Sequence, residues 1–94
     1  LDLEELRNSN YYLSEKNLKK KFLQIEKNFS TFNLEIGFGS GENILFQAKK
    51  NKNICFIGCD PFLNGIVKLK KQIDKYQIKN TYFTNLDFWN PDLF

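Results

Sequence analysis

The sequence predicts an α/β fold, a parallel sheet carrying helices on its faces, and three observations predict it. Stretches with a helical apolar period alternate with short, continuous apolar runs. The first run passes into the glycine loop of LEIGFGSGE, residues 34–42, which feeds directly into the next helical stretch. The second and third runs end on polar groups, at Asp60 and at residues 85–87. Strands and helices alternating at these lengths form right-handed βαβ units, and hence a parallel sheet.

The elements follow in order along the chain. Residues 1–13 show no clean period and read as a loosely ordered lead-in. From Ser14, a residue suited to an N-cap, Leu18, Phe22, Ile25 and Phe29 recur at spacings of four, three and four. They predict an amphipathic helix ending near Asn28, whose outer lysines (Lys16, Lys19, Lys20, Lys21 and Lys27) read as a solvated face in preference to a phosphate-binding strip. FNLEIGF is the first strand, and its neighbours Leu34 and Ile36 place Glu35 on a central, buried segment. In ENILFQAKKN, Ile44, Leu45 and Ala48 share one helical face. NICFIGCD, bounded by Asn53 and by Asp60-Pro61, reads as a strand buried on both faces. Ile66, Leu69, Ile73 and Tyr76 then mark a third helix, and TYFTNLDF a third strand. Asn64-Gly65 reads as no more than a helix-start turn.

Composition narrows the function classes. A chain of 94 residues makes one small domain that buries only about 60 per cent of its unfolded surface. No window approaches the roughly 20 apolar residues of a membrane span, and the acidic, polar LDLEELRNSN is no signal peptide. A cytoplasmic protein is expected. Cys55 and Cys59 match no zinc or redox spacing and read as buried thiols, and no metal site is expected. The net charge of +3 is spread over every polar stretch, so it favours solubility and only permits an anionic partner.

In an open parallel sheet, ligands bind beyond the carboxyl ends of the strands. The unusual residues all fall at that edge. Gly37, Gly39 and Gly41 allow a sharp strand-to-helix turn and close approach of backbone to a ligand, and the helix start favours an anionic group. Their G-x-G-x-G spacing, with Glu42 where G-x-G-x-x-G would need a glycine, argues against a nicotinamide or flavin dinucleotide. Asp60, nineteen residues after Gly41, stands where a carboxylate can accept both hydroxyls of a ribose. An unpaired carboxylate in a central strand is costly, which marks Glu35 as functional.

E-x-G-x-G-x-G, followed by an acid at the second strand tip and an Asp at the third, resembles the S-adenosylmethionine-dependent class I methyltransferases. LEIGFGSGE, FIGCDPFLNGIVKL and TNLDF, in that order and spacing, are more specifically similar to the bacterial tRNA (guanine-N7-)-methyltransferase family, over residues 33–88. The resemblance implies a Rossmann-like three-layer fold with strand order 3-2-1, of which this chain supplies the amino-terminal half. It implies S-adenosyl-L-methionine as cofactor and N7 of a guanine in tRNA as the methyl acceptor. By residue, it implies Glu35 near the methionine ammonium and Gly37, Gly39 and Gly41 against the nucleoside and methionine portions. Asp60 would meet the ribose, with Pro61 and Phe62 beside the adenine. Asp87 would accept from the adenine amino group and the Phe88 N–H would reach the ring. Trp89 reads either as packing or as a lid.

The family's Asp-Pro-Trp-Pro-Lys-like run and its later Thr-Asp motif do not occur within residues 1–94. The expectation is therefore a lead-in over 1–13 and a partial cofactor-binding domain over 14–94, without catalytic residues and inactive alone. tRNA contacts would lie in the carboxy-terminal part beyond Phe94. The alternative is a non-catalytic remnant or regulatory nucleoside-binding module.

Overall fold

The computed structural model describes residues 3–87. In chain order the elements are α1 (Leu3–Arg7), α2 (Leu18–Glu26), β1 (Thr31–Ile36), α3 (Glu42–Lys50), β2 (Ile54–Cys59), α4 (Leu63–Tyr76) and β3 (Thr81–Thr84). The strands form one parallel sheet in the order β1-β2-β3. This is the expected strand order, produced by two successive crossovers through α3 and α4 that step in the same direction.

Alternation along the strands splits the core into two layers. Phe56 of β2 and Phe83 of β3 pack with Ile44, Leu45 and Ala48 of α3 and with Ile66, Leu69 and Ile73 of α4. Cys55 and Ile57 face the other way, against Leu18 and Ile25 of α2. β2 is accordingly buried on both faces, as its unbroken apolar run predicts. The Asn80 side-chain amide then closes the lower end of this layer, donating to the carbonyls of Ala48, Asn51 and Ile54, each at 3.0 Å.

β1 differs from the sequence reading. Among the described residues it pairs only with β2, so it is an edge strand, and Leu34 and Ile36 are 50% and 46% exposed. A short apolar run signals that a strand is coverable; it does not say whether a neighbour covers it. The same run therefore reads as central or as an unpartnered edge.

Residues 3–13 also differ, being packed where a loose lead-in is expected. Leu6 of α1 is buried in the α3/α4 layer, and Leu13 in the α2 layer. The chain at Tyr12 runs parallel beside Phe83, with the Leu13 N–H donating to the Phe83 carbonyl and the Phe83 N–H to the Tyr11 carbonyl, both at 2.9 Å. A one-turn helix and a three-residue strand extension are each too short to display a period. α2 begins at Leu18, later than Ser14. Ser14 and Asn17 nevertheless form a reciprocal box, Ser14 N–H to Asn17 Oδ1 at 2.8 Å and Asn17 N–H to Ser14 Oγ at 3.1 Å, around the turn that leads into the helix.

Candidate functional site

The three strands end level. Ile36, Cys59 and Thr84 lie side by side in register, and the ladder continues one residue further. The Gly37 N–H donates to the Cys59 carbonyl at 2.7 Å and the Asp60 N–H to the Thr84 carbonyl at 3.1 Å. Gly37, Asp60 and Asn85 therefore leave the sheet side by side at its carboxyl edge, where parallel sheets take their ligands.

The glycine loop turns the chain from β1 into α3. Gly37, Gly39 and Gly41 have φ of 73°, 63° and 85°, in the left-handed region that side chains with a Cβ resist. Gly41 caps α3, and a Cβ there would stand 2.7 Å from Leu69 Cδ1 of α4. Phe38, between the glycines, turns inward, and its ring lies where a Cβ on Gly58 would be, 2.7 Å from Cδ2. Gly65, read from the sequence as no more than part of a helix-start turn, is also a packing contact: a Cβ on it would fall 2.4 Å from the Gly39 carbonyl oxygen. The first turn of α4 thus rests directly on the glycine loop. The Asn64-Gly65 pair was the available signal, and a turn explained it equally well.

Asp60 joins the same loop. Its Oδ2 accepts from the Gly39 N–H at 3.2 Å and its Oδ1 from the Phe62 N–H at 2.9 Å, and the residue is only 5% exposed. One carboxylate therefore ties the β1–α3 loop to the start of α4. Each oxygen retains acceptor capacity after a single bond. Pro61 and Phe62 follow on the outside, Phe62 being 74% exposed.

Glu35 points toward α3. Its Oε1 accepts from Asn43 Nδ2 at 3.1 Å, while Oε2 is buried with no hydrogen-bond partner. The carboxylate lines an open hollow of about 230 Å³ together with Asn33, Ile44, Gln47 and Phe56. Asn43 has no distinguishing signal in the sequence.

Beyond β3, the chain is held across the end of β2. The Cys59 thiol donates to the Leu86 carbonyl at 2.6 Å, Leu86 N–H donates to Thr84 Oγ1 at 3.0 Å, and the Tyr12 hydroxyl donates to Asn85 Oδ1 at 2.9 Å. Asp87 follows, exposed on the same edge. Phe88 and Trp89 lie outside the described residues. The structure thus brings Gly39, Asp60 and Gly65 into one cluster, and sets Glu35 beside Asn43 on the face of α3. Both cysteines are buried, and burial pushes the Cys55 thiol up to about 12. No group of three or more His, Cys, Asp or Glu residues suited to a metal ion occurs among the described residues.

A family model described as "Putative methyltransferase" matches residues 29–91, which takes in every strand and the whole carboxyl edge. The chain belongs to this methyltransferase family. Curated relatives add detail. A tRNA (guanine-N(7)-)-methyltransferase of Zymomonas mobilis is 54% identical over 46 residues, covering 49% of this chain and 20% of that protein. A protein of the same name from Wolbachia pipientis wMel is 47% identical over 47 residues, 50% of this chain and 21% of the relative. A bifunctional methyltransferase of Rickettsia felis is 44% identical over 62 residues, 64% of this chain and 12% of that protein. The chain thus spans about a fifth or less of the length of these relatives. Membership makes a methyl donor the expected ligand class. Among the described residues, no helix is long and apolar enough to cross a membrane.

Proposed function

We propose that this chain supplies the S-adenosylmethionine-binding part of an enzyme that methylates N7 of a guanine in tRNA. The observation that carries the reading is the Asp60 carboxylate, buried at the strand edge and bonded to Gly39 of a loop whose three glycines all have positive φ. A ribose offers two adjacent hydroxyl donors, and a carboxylate with acceptor capacity left on both oxygens matches them.

The remaining residues fit the same ligand. Glu35 Oε2 is a buried acceptor without a donor, which the methionine ammonium would satisfy, directly or through water. The glycine backbone would lie against the nucleoside and methionine portions. Pro61 and Phe62 would border the adenine, Asp87 would accept from its amino group and the Phe88 N–H would reach its ring. When bound, S-adenosylmethionine supplies a methyl group on a sulfonium, and guanine N7 is already nucleophilic. The protein's task is then placement and electrostatic support, with little covalent chemistry. Residues 14–94 act as the cofactor-binding unit, and guanine and tRNA contacts are made by other parts of the enzyme. On this reading the chain alone is inactive.

Calorimetric titration of the chain with S-adenosylhomocysteine tests the reading. Asp60→Asn keeps the side-chain shape but removes the charge, and should weaken binding by about tenfold or more, as expected for hydrogen bonds to a charged acceptor. Circular dichroism of the variant checks that its fold is retained. An unchanged affinity in a folded variant would sink the assignment.

A further inference from the structure

Two adjoining hollows follow α3 and α4, one between the two helices and one at their lower end beside residues 77–80. One, of about 540 Å³, is lined by Ser40, Glu42, Phe46, Lys49, Lys68 and Lys71, among others. The second, of about 560 Å³, is lined in part by Lys49, Lys52, Tyr76 and Lys79. Lys49 and Tyr76 belong to both, so the hollows form one groove running from the glycine loop to the lower end of α4.

The chemistry of this groove is one-sided. Five lysines line it, and Glu42 is the one acid among its lining residues. Two rings stand in it with much of their surface in solvent, Phe46 at 61% and Tyr76 at 49%. Tyr76 shares the apolar spacing that marks α4, yet it projects outward with Lys49 Nζ 3.9 Å from its ring centroid. A solvated lysine face needs neither a recess nor exposed rings. Lysine point charges along a groove interleaved with exposed aromatics match a phosphate backbone whose bases stack. Both rings carry lysines, Lys49 and Lys75 over Tyr76 and Lys50 over Phe46. An acidic protein segment would draw off the ammonium groups and make no use of the rings, whereas a nucleic-acid base stacks on Tyr76 once Lys49 turns to a phosphate.

The geometry points to a binding groove for single-stranded nucleic acid between α3 and α4, with Lys49, Lys68 and Lys71 on phosphates and Tyr76 as a stacking platform. It stands on groove shape and charge, independently of the methyl-transfer reading.

The test is fluorescence anisotropy of the chain with labelled single-stranded oligonucleotides of about 12 nucleotides, within the span that such grooves track. RNA and DNA arms of the same sequence distinguish the two sources of the backbone, and a poly-glutamate peptide is the competitor. Replacing Lys49, Lys68 and Lys71 together by alanine should weaken binding at least tenfold and lower the slope of log K against log salt by about 2, at about 0.7 per phosphate. Tyr76→Ala should cost about tenfold, with Tyr76→Phe restoring most of it. The control removes Lys16, Lys20 and Lys27, which lie in or beside α2 on the opposite side of the sheet, and should change binding less than twofold. Equal losses in both lysine triples would overturn the proposal in favour of diffuse charge. Full competition by poly-glutamate, or an unchanged Tyr76→Ala, would overturn it in favour of an acidic protein partner.

Discussion

Gly65→Ala separates two physical expectations that have opposite signs. In a helix, Gly→Ala is ordinarily stabilising by up to about 1 kcal/mol. Here the new Cβ would sit 2.4 Å from the Gly39 carbonyl oxygen, a backbone atom that cannot swing aside. Carbon and carbonyl oxygen meet comfortably at about 3.3 Å, so α4 and the glycine loop must separate by about 0.9 Å. That displacement strains the Asp60 bridge, since its bond to the Gly39 N–H is already 3.2 Å long, and loosens Leu69 against Gly41. A clash this close to a backbone atom falls in the upper part of the overpacking range, about 2–3 kcal/mol, leaving a net destabilisation of about 1–2 kcal/mol after the helix gain. For a domain of this size the melting midpoint should fall by about 5–15 °C, measured by circular dichroism or calorimetry. A midpoint that stays level or rises would show that α4 does not press on the loop, and would refute the packing argument.

Two further outcomes follow from the fold. Cys55 is protonated in the folded chain up to about 12 and ordinarily ionises near 9.0, so the unfolded state loses its proton first. Its contribution is full below about pH 9 and is lost between there and about 12, at about 1.4 kcal/mol per pH unit. Alkaline unfolding midpoints should show this loss and Cys55→Ala should flatten it; an identical alkaline limb in the variant would contradict the burial of this thiol. The exposed edge of β1 carries Leu34 and Ile36 and, in charge, only Glu35, so the chain should self-associate through strand pairing. Sedimentation velocity should show this association, and Ile36→Lys should shift the distribution toward monomer; a wild-type chain already monomeric at high concentration would contradict it.

The layered α/β plan was legible because it is written in periodicity. Ile44, Leu45 and Ala48 declare one helix face and the unbroken run of β2 declares two covered faces, and both signals depend only on local spacing. β1 was misread because burial of an edge depends on a neighbour that no local spacing names. Tyr76 shows a related limit: it shares the helical period of Ile66, Leu69 and Ile73, but a period does not say where the packing partner ends, and Ile73 is 1% exposed while Tyr76 is 49% exposed. At the candidate site, the glycines and Asp60 were legible because their residue types are unusual in those places. Gly65 and Asn43 were not, since the loop that rests on Gly65 lies 26 positions earlier and the partner of Asn43 is a carboxylate on a strand.

If the glycine loop is one wall of a nucleoside pocket, the glycines themselves report on it. The chain has five, so a sample labelled with ¹⁵N at glycine gives five amide signals. Titration with S-adenosylhomocysteine to about millimolar concentration, in the affinity range of ordinary ligands, should shift Gly37, Gly39 and Gly41 more than Gly58, which lies beneath the Phe38 ring. Five unmoved signals, or shifts confined to Gly58 and Gly65, would contradict the claim.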